Sequence, residues 1–160
     1  MSNLGSNLDD LYREIILDHY RSPRNRGELD SPPAIRVEGF NPLCGDEIVV
    51  YLDVEDGVLK NIKMVGSGCS ISQSSASLMS AAVKGKTLKQ VRETIATFKQ
   101  LMTVQESTLA HDDESPKVDL RALGELAALQ GVIKFPVRIK CATLAWNALT
   151  QGLDELNRLS

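Results

Sequence analysis

The spacing of hydrophobic positions changes along the chain, and that change predicts the order of its elements. Leu8, Leu11, Tyr12, Ile15 and His19 recur at helical spacing and predict a helix over Asn7–Arg21, stopped by Ser22-Pro23. Arg24 to Pro33 is polar and rich in turn formers. Ile35–Phe40 then reads as a strand. Ile48, Val50, Leu52 and Val54 put one apolar face on a second strand over Glu47–Val54. Glu55-Asp56-Gly57 is a hairpin signal, so Val58–Val65 is expected to return as a third strand.

Helical spacing resumes after that. Ile71, Ser75, Leu78 and Ala82 fall on one face of a helix expected over Ser70–Lys84, with Gly85 at its C-terminal cap. Thr87 and Gln90 have the capping-box spacing and open a helix carrying Val91, Ile95, Phe98 and Leu101. Glu106–Lys117 is acidic and turn-rich and is expected to be an exposed loop. Leu120–Leu129 reads as a short helical run ending at Gly131. Pro136 stands in the first turn of a last helix reaching Asn157, with Cys141, Leu144, Ala145, Ala148 and Gly152 as its inner stripe. Strands followed by helices predict an α+β fold, a small antiparallel sheet of about three strands packed against several helices. No internal repeat is visible, and a length of 160 residues predicts a single domain spanning 1–160.

Charge and composition narrow the partners. Lys plus Arg number 18 and Asp plus Glu 21, a net charge of −3, and aromatic residues make up 4%. Phosphate binding needs a basic excess and base stacking needs aromatics, so no nucleic-acid partner is expected. No run approaches the roughly 20 apolar residues of a membrane span, so no membrane partner is expected. Met1–Asp10 is polar and lacks the apolar core of an export signal, which predicts a cytoplasmic protein.

The candidate chemistry lies in the three cysteines. An odd number without an export signal speaks against a disulfide framework. Cys44 lies in Asn41-Pro42-Leu43-Cys44-Gly45-Asp46, before a strand; Cys69 ends Gly66-Ser67-Gly68-Cys69, between a strand and a helix; Cys141 lies in the first turns of the last helix. Element ends commonly carry functional residues, and helix N-termini stabilise thiolates. Gly45, Gly66 and Gly68 permit positive φ or close backbone approach around a bound group. If they converge, three thiolates and the Asp46 carboxylate make a tetrahedral zinc site. The alternative is three packed core thiols.

The chain resembles the U-type iron–sulfur assembly family, the IscU/NifU N-terminal fold. Five stretches carry the likeness: His19-Tyr20-Arg21-Ser22-Pro23-Arg24-Asn25 with Gly27, Asn41–Asp46, Gly66–Ser72, the Ser- and Ala-rich helix that follows, and Arg138-Ile139-Lys140-Cys141-Ala142. Lys140 stands where the scaffold branch usually has histidine, and the segment between Cys69 and Cys141 carries a helical insertion around 90–130. Both features are similar to the SufU branch. That resemblance implies a zinc-dependent sulfur acceptor, a sulfurtransferase if it is counted as an enzyme. It would take persulfide sulfur from a SufS-type cysteine desulfurase, a pyridoxal-phosphate enzyme, and pass it to downstream iron–sulfur scaffold or acceptor proteins. Carried over by position, the zinc ligands are Cys44, Asp46, Cys69 and Cys141. Cys44 is the acceptor thiol, and Arg138 supports the site or the partner contact.

Two other readings stand beside it. The same ligands could hold a transient [2Fe–2S] cluster on an assembly scaffold. They could also form a structural zinc-binding module, although such sites are usually closed by Cys and His alone. Outside this constellation, His19 is expected to be a packed, hydrogen-bonded core residue and Trp146 a core residue. His111 is expected to be solvated, and Lys140 either gates the site or lies on the surface. The run from Ser70 to Ser80 looks like a phosphate-binding helix start, but its small side chains are expected instead to allow close packing under the cysteine loops.

Overall fold

In the computed structural model, which describes residues 4–42, 45–110 and 123–159, a helical layer covers one face of a three-stranded sheet. Helix α1 spans Leu4–Arg21. The strands are β1 (Ile35–Asn41), β2 (Asp46–Glu55) and β3 (Val58–Ser67), antiparallel in the order β1-β2-β3. Helices α2 (Ser70–Val83) and α3 (Leu88–Ala110), a 3-10 segment (Gly124–Lys134) and helix α4 (Pro136–Leu159) follow. Among the described residues, no helix is long and apolar enough to cross a membrane.

The local signals account for most of this. Asp56 and Gly57 both take positive φ, 52° and 73°, the geometry of a two-residue type I′ turn between the paired Glu55 and Val58. Ile48, Val50 and Leu52 are buried as expected, with Val54 packed at their edge. On β3 the register shifts so that Val54 pairs with Leu59 and Asp53 with Asn61. Lys60 is the extra residue, and the bulge turns Leu59, Ile62 and Met64 all toward the core despite their broken alternation. The Thr87–Gln90 capping box is complete: Thr87 N–H donates to Gln90 Oε1 (3.0 Å) and Gln90 N–H to Thr87 Oγ1 (3.1 Å).

Helix α2 has the expected face: Ser75 and Leu78 are buried, and Ile71 and Ala82 pack half-buried against the core. The helix packs between α1 and α4 and also buries Ser72, Ser74, Ser77 and Ser80. Ser75 Oγ donates to the Ala142 carbonyl (2.6 Å) and accepts from Trp146 Nε1 (3.1 Å), so this buried hydroxyl is satisfied from α4. Two expectations need correction. First, Glu106–Ala110, assigned to an acidic loop, continue the backbone of α3; the rest of that expected loop, with His111, lies outside the described residues. Second, the run expected over Leu120–Leu129 is a 3-10 segment from Gly124 that passes through Gly131 to Lys134. It buries Leu126, Leu129, Val132 and Ile133, so tertiary contacts hold it in a form that is rarely long on its own.

Helix α4 crosses β1 and β2. A side chain at Gly152 would come within 2.5 Å of Leu52, so glycine sets how closely this helix lies on the sheet. Trp146 stacks on Phe98 of α3 with ring centroids 4.1 Å apart, and both are fully buried.

Candidate metal centre

The sheet register brings the first part of the site together. β1 ends at Asn41, which pairs with Asp46, the first residue of β2. β3 leaves the sheet beside that point, since Glu47 pairs with Ser67. Gly68 and Cys69 therefore emerge against Asp46. The Cys69 backbone N–H donates to Asp46 Oδ1 at 2.9 Å, and Cys69 Sγ lies 3.9 Å from Oδ2. Gly68 has φ +154°, and a Cβ there would overlap the Asp46 carboxylate and come within 2.8 Å of Ser72 Oγ. Gly66 has no room for a side chain either, against the Glu47 carbonyl. Two of the glycines singled out from sequence thus permit the close approach, and Gly45 takes φ +69°.

Helix α4 completes the group. Cys141 lies in its second turn and is fully buried, as is Asp46, while Cys69 is half-buried. One donor atom from each of Asp46, Cys69 and Cys141 lies within 4.8 Å of the others. Cys44 lies outside the described residues, in the short connection between the paired Asn41 and Asp46. Two thiols and a carboxylate oxygen facing one another fit zinc: sulfur suits a borderline-soft cation, and three ligands leave one tetrahedral position.

Arg138 is exposed one turn before Cys141. Its guanidinium is held above its ordinary value, first by a hydrogen bond to Cys141 and then by the charges of Cys69 and Cys141. Lys140 is exposed. Phe135 and Val137, 61% and 62% exposed, leave the start of α4 apolar beside this group. A surface cleft of about 280 Å³ between Tyr20, Arg26, Gln73 and Gly66–Gly68 opens next to Cys69. The cleft is invisible in the sequence because its walls come from α1 and the segment after it, the end of β3 and the start of α2. Ser72 was also missed, although the Cys69-to-Ser72 spacing is that of a helix N-cap and its third residue.

His19 lies apart from the centre. It is 1% exposed, with Nδ1 2.7 Å from Ser77 Oγ and Nε2 3.5 Å from the Glu125 carboxylate. It is the packed, hydrogen-bonded residue expected.

Two thiols gathered with a carboxylate at the ends of a strand and two helices make a small α+β protein with a group able to hold a metal ion. The chain belongs to the NifU-like N-terminal domain family, whose model matches residues 11–142. It is 43% identical over 151 residues to the zinc-dependent sulfurtransferase SufU of Bacillus subtilis strain 168, covering 94% of this chain and 95% of that one. It is 36% identical over 148 residues to the iron–sulfur cluster assembly scaffold protein IscU of Streptococcus pyogenes serotype M1, covering 92% and 86%. Among solved structures, it matches a candidate iron–sulfur cluster assembly scaffold protein for the SUF system from Fervidobacterium islandicum AW-1. That match has a TM-score of 0.75 and 28% identity, over 88% of this chain and 94% of the other.

Proposed function

We propose that this protein serves iron–sulfur cluster assembly as a zinc-dependent sulfur acceptor. The observation that carries the reading is the convergence of Asp46, Cys69 and Cys141 within 4.8 Å, in a chain 43% identical to a zinc-dependent sulfurtransferase. In this reading Cys44 is the fourth ligand and the acceptor thiol. Bound zinc would favour the thiolate form of its cysteine ligands near neutral pH. The Cys44 thiolate attacks the outer sulfur of a protein persulfide. The donor's S–S bond breaks, the donor cysteine leaves as a thiolate, and Cys44 carries the new persulfide with no net oxidation. Arg138 supports the anionic sulfurs or the partner contact. The donor is a SufS-type cysteine desulfurase, a pyridoxal-phosphate enzyme, and the sulfur passes to downstream iron–sulfur proteins. The reaction belongs to the reducing cytoplasm, where thiols persist. The chain acts as one domain.

Alanine production by the desulfurase tests this. Stimulation by the zinc-loaded protein, lost on zinc removal and in Cys44→Ala, is the expected result. Stimulation indifferent to zinc removal would sink the mechanism. A second reading, an assembly scaffold for a [2Fe–2S] cluster, is favoured by the 36% identity to a named scaffold. Iron and sulfide reconstitution, followed by visible absorption, separates the two.

A further inference from the structure

We propose that Ser72 is a positioning residue for Cys69, its buried hydroxyl holding the cysteine's backbone and supporting its sulfur as a metal ligand. The inference rests on the metal reading of the site given above.

Cys69 is the N-cap of α2, a position whose side chain usually accepts a backbone N–H from the first turn. Its sulfur makes no such bond and is left for another partner. Asp46 instead takes the Cys69 N–H, the part that a glutamate or glutamine at the third helical position plays in a capping box. Here the third position is Ser72, which is 6% exposed. Its hydroxyl donates to the Cys69 carbonyl at 3.1 Å, and Cys69 Sγ lies 3.9 Å from Oγ. A hydroxyl has one hydrogen and rotates freely, a thiol can donate, and a thiolate can only accept. A sulfur bound as a ligand has no hydrogen to give, so in the metal-holding arrangement Ser72 is the donor and Sγ the acceptor. The Cys69 carbonyl is not orphaned by that turn, because it also accepts the Gln73 N–H at 3.1 Å. The other buried serines of α2 are engaged elsewhere. Ser74 bonds the Ser70 carbonyl, Ser75 the Ala142 carbonyl, Ser77 faces His19, and Ser80 bonds the Ser77 carbonyl.

Zinc affinity by chelator competition, together with the sulfur-to-metal charge-transfer band of the cobalt-substituted protein, tests the proposal. Ser72→Ala is expected to weaken zinc binding about tenfold, the lower end for loss of a group that supports a ligand. Without a hydrogen bond on the thiolate, its cobalt band should move to lower energy. Ser72→Thr should restore both, and Ser74→Ala, an equally buried serine facing away, should behave as the parent does. Alanine is favoured in helices, so Ser72→Ala should fold, and melting of the metal-free proteins checks this. Parent-like affinity and an unmoved band in Ser72→Ala would overturn the proposal, and so would equal losses in Ser72→Ala and Ser72→Thr. Failure of the parent to bind zinc would instead overturn the metal reading, and this inference with it.

Discussion

Replacing Gly68 by alanine asks whether the close approach of the β3–α2 turn to Asp46 builds the site. The added Cβ would overlap Asp46 Oδ1 and come within 2.8 Å of Ser72 Oγ, at φ +154°. Backbone strain of this kind costs about 1–3 kcal/mol. Pushing Asp46 away also breaks its bond to the Cys69 N–H, worth about 1.5–3 kcal/mol for a carboxylate acceptor. The sum is about 2.5–6 kcal/mol, or roughly 5–24 °C in melting temperature for a chain of this size. Gly45→Ala is the control: it also has positive φ, +69°, but a Cβ there meets nothing within 4 Å. It should cost only the left-handed backbone penalty, about 1–2 kcal/mol. Thermal melts of both metal-free variants, with zinc competition on each, give the comparison. Gly68→Ala should lose stability and at least about tenfold in zinc affinity, because a ligand has been displaced. If the two variants melt alike and bind zinc alike, the reasoning from the Gly68–Asp46 contact is wrong.

Other expectations follow from the same geometry. Stripping zinc should lower the melting temperature of the parent, since a ligand at a hundredfold its Kd contributes about 2.7 kcal/mol; in Cys69→Ser the difference between loaded and stripped protein should shrink, and an unchanged difference would remove Cys69 from the ligand set. Phe98→Ala should cost about 3–5 kcal/mol and alter Trp146 fluorescence, because it deletes a fully buried ring stacked on that indole. Burial pushes the His19 pKa below its ordinary 6.5, with Arg24 adding to this and Glu125 opposing it. The unfolded chain thus takes up the proton first as pH falls, so this contribution is full above pH 6.5 and is lost as the pH drops through the depressed value. Melting temperatures between pH 7.5 and 5 should therefore fall less in His19→Gln than in the parent; parallel curves would rule His19 out as the source.

The relation between sequence and structure differs from element to element. The Asp56-Gly57 turn and the Thr87–Gln90 box were legible because each is made by residues within a few positions of one another, where backbone sterics and short side chains decide the outcome. The alternation in β2 was legible because only one face of that strand meets the core. In helix α2 the extent and the inward face were legible, but the partners of its buried serines were not. Ser75 bonds the Ala142 carbonyl of α4, and a hydrophobic pattern cannot see a polar residue whose partner comes from another element. The 3-10 segment was misread because its tight winding is held by packing rather than by propensity.

The chemistry divides along the same line. By itself the sequence determined the three cysteine contexts, the glycines around them and the likeness to a family, all carried by short contiguous stretches. Only the tertiary structure decided that Asp46, Cys69 and Cys141, far apart along the chain, face one another. That convergence depends on two antiparallel registers, on a glycine with no room for a Cβ, and on a helix laid across the sheet. These are long-range contacts, set by the packing of whole elements, and no window along the chain contains them.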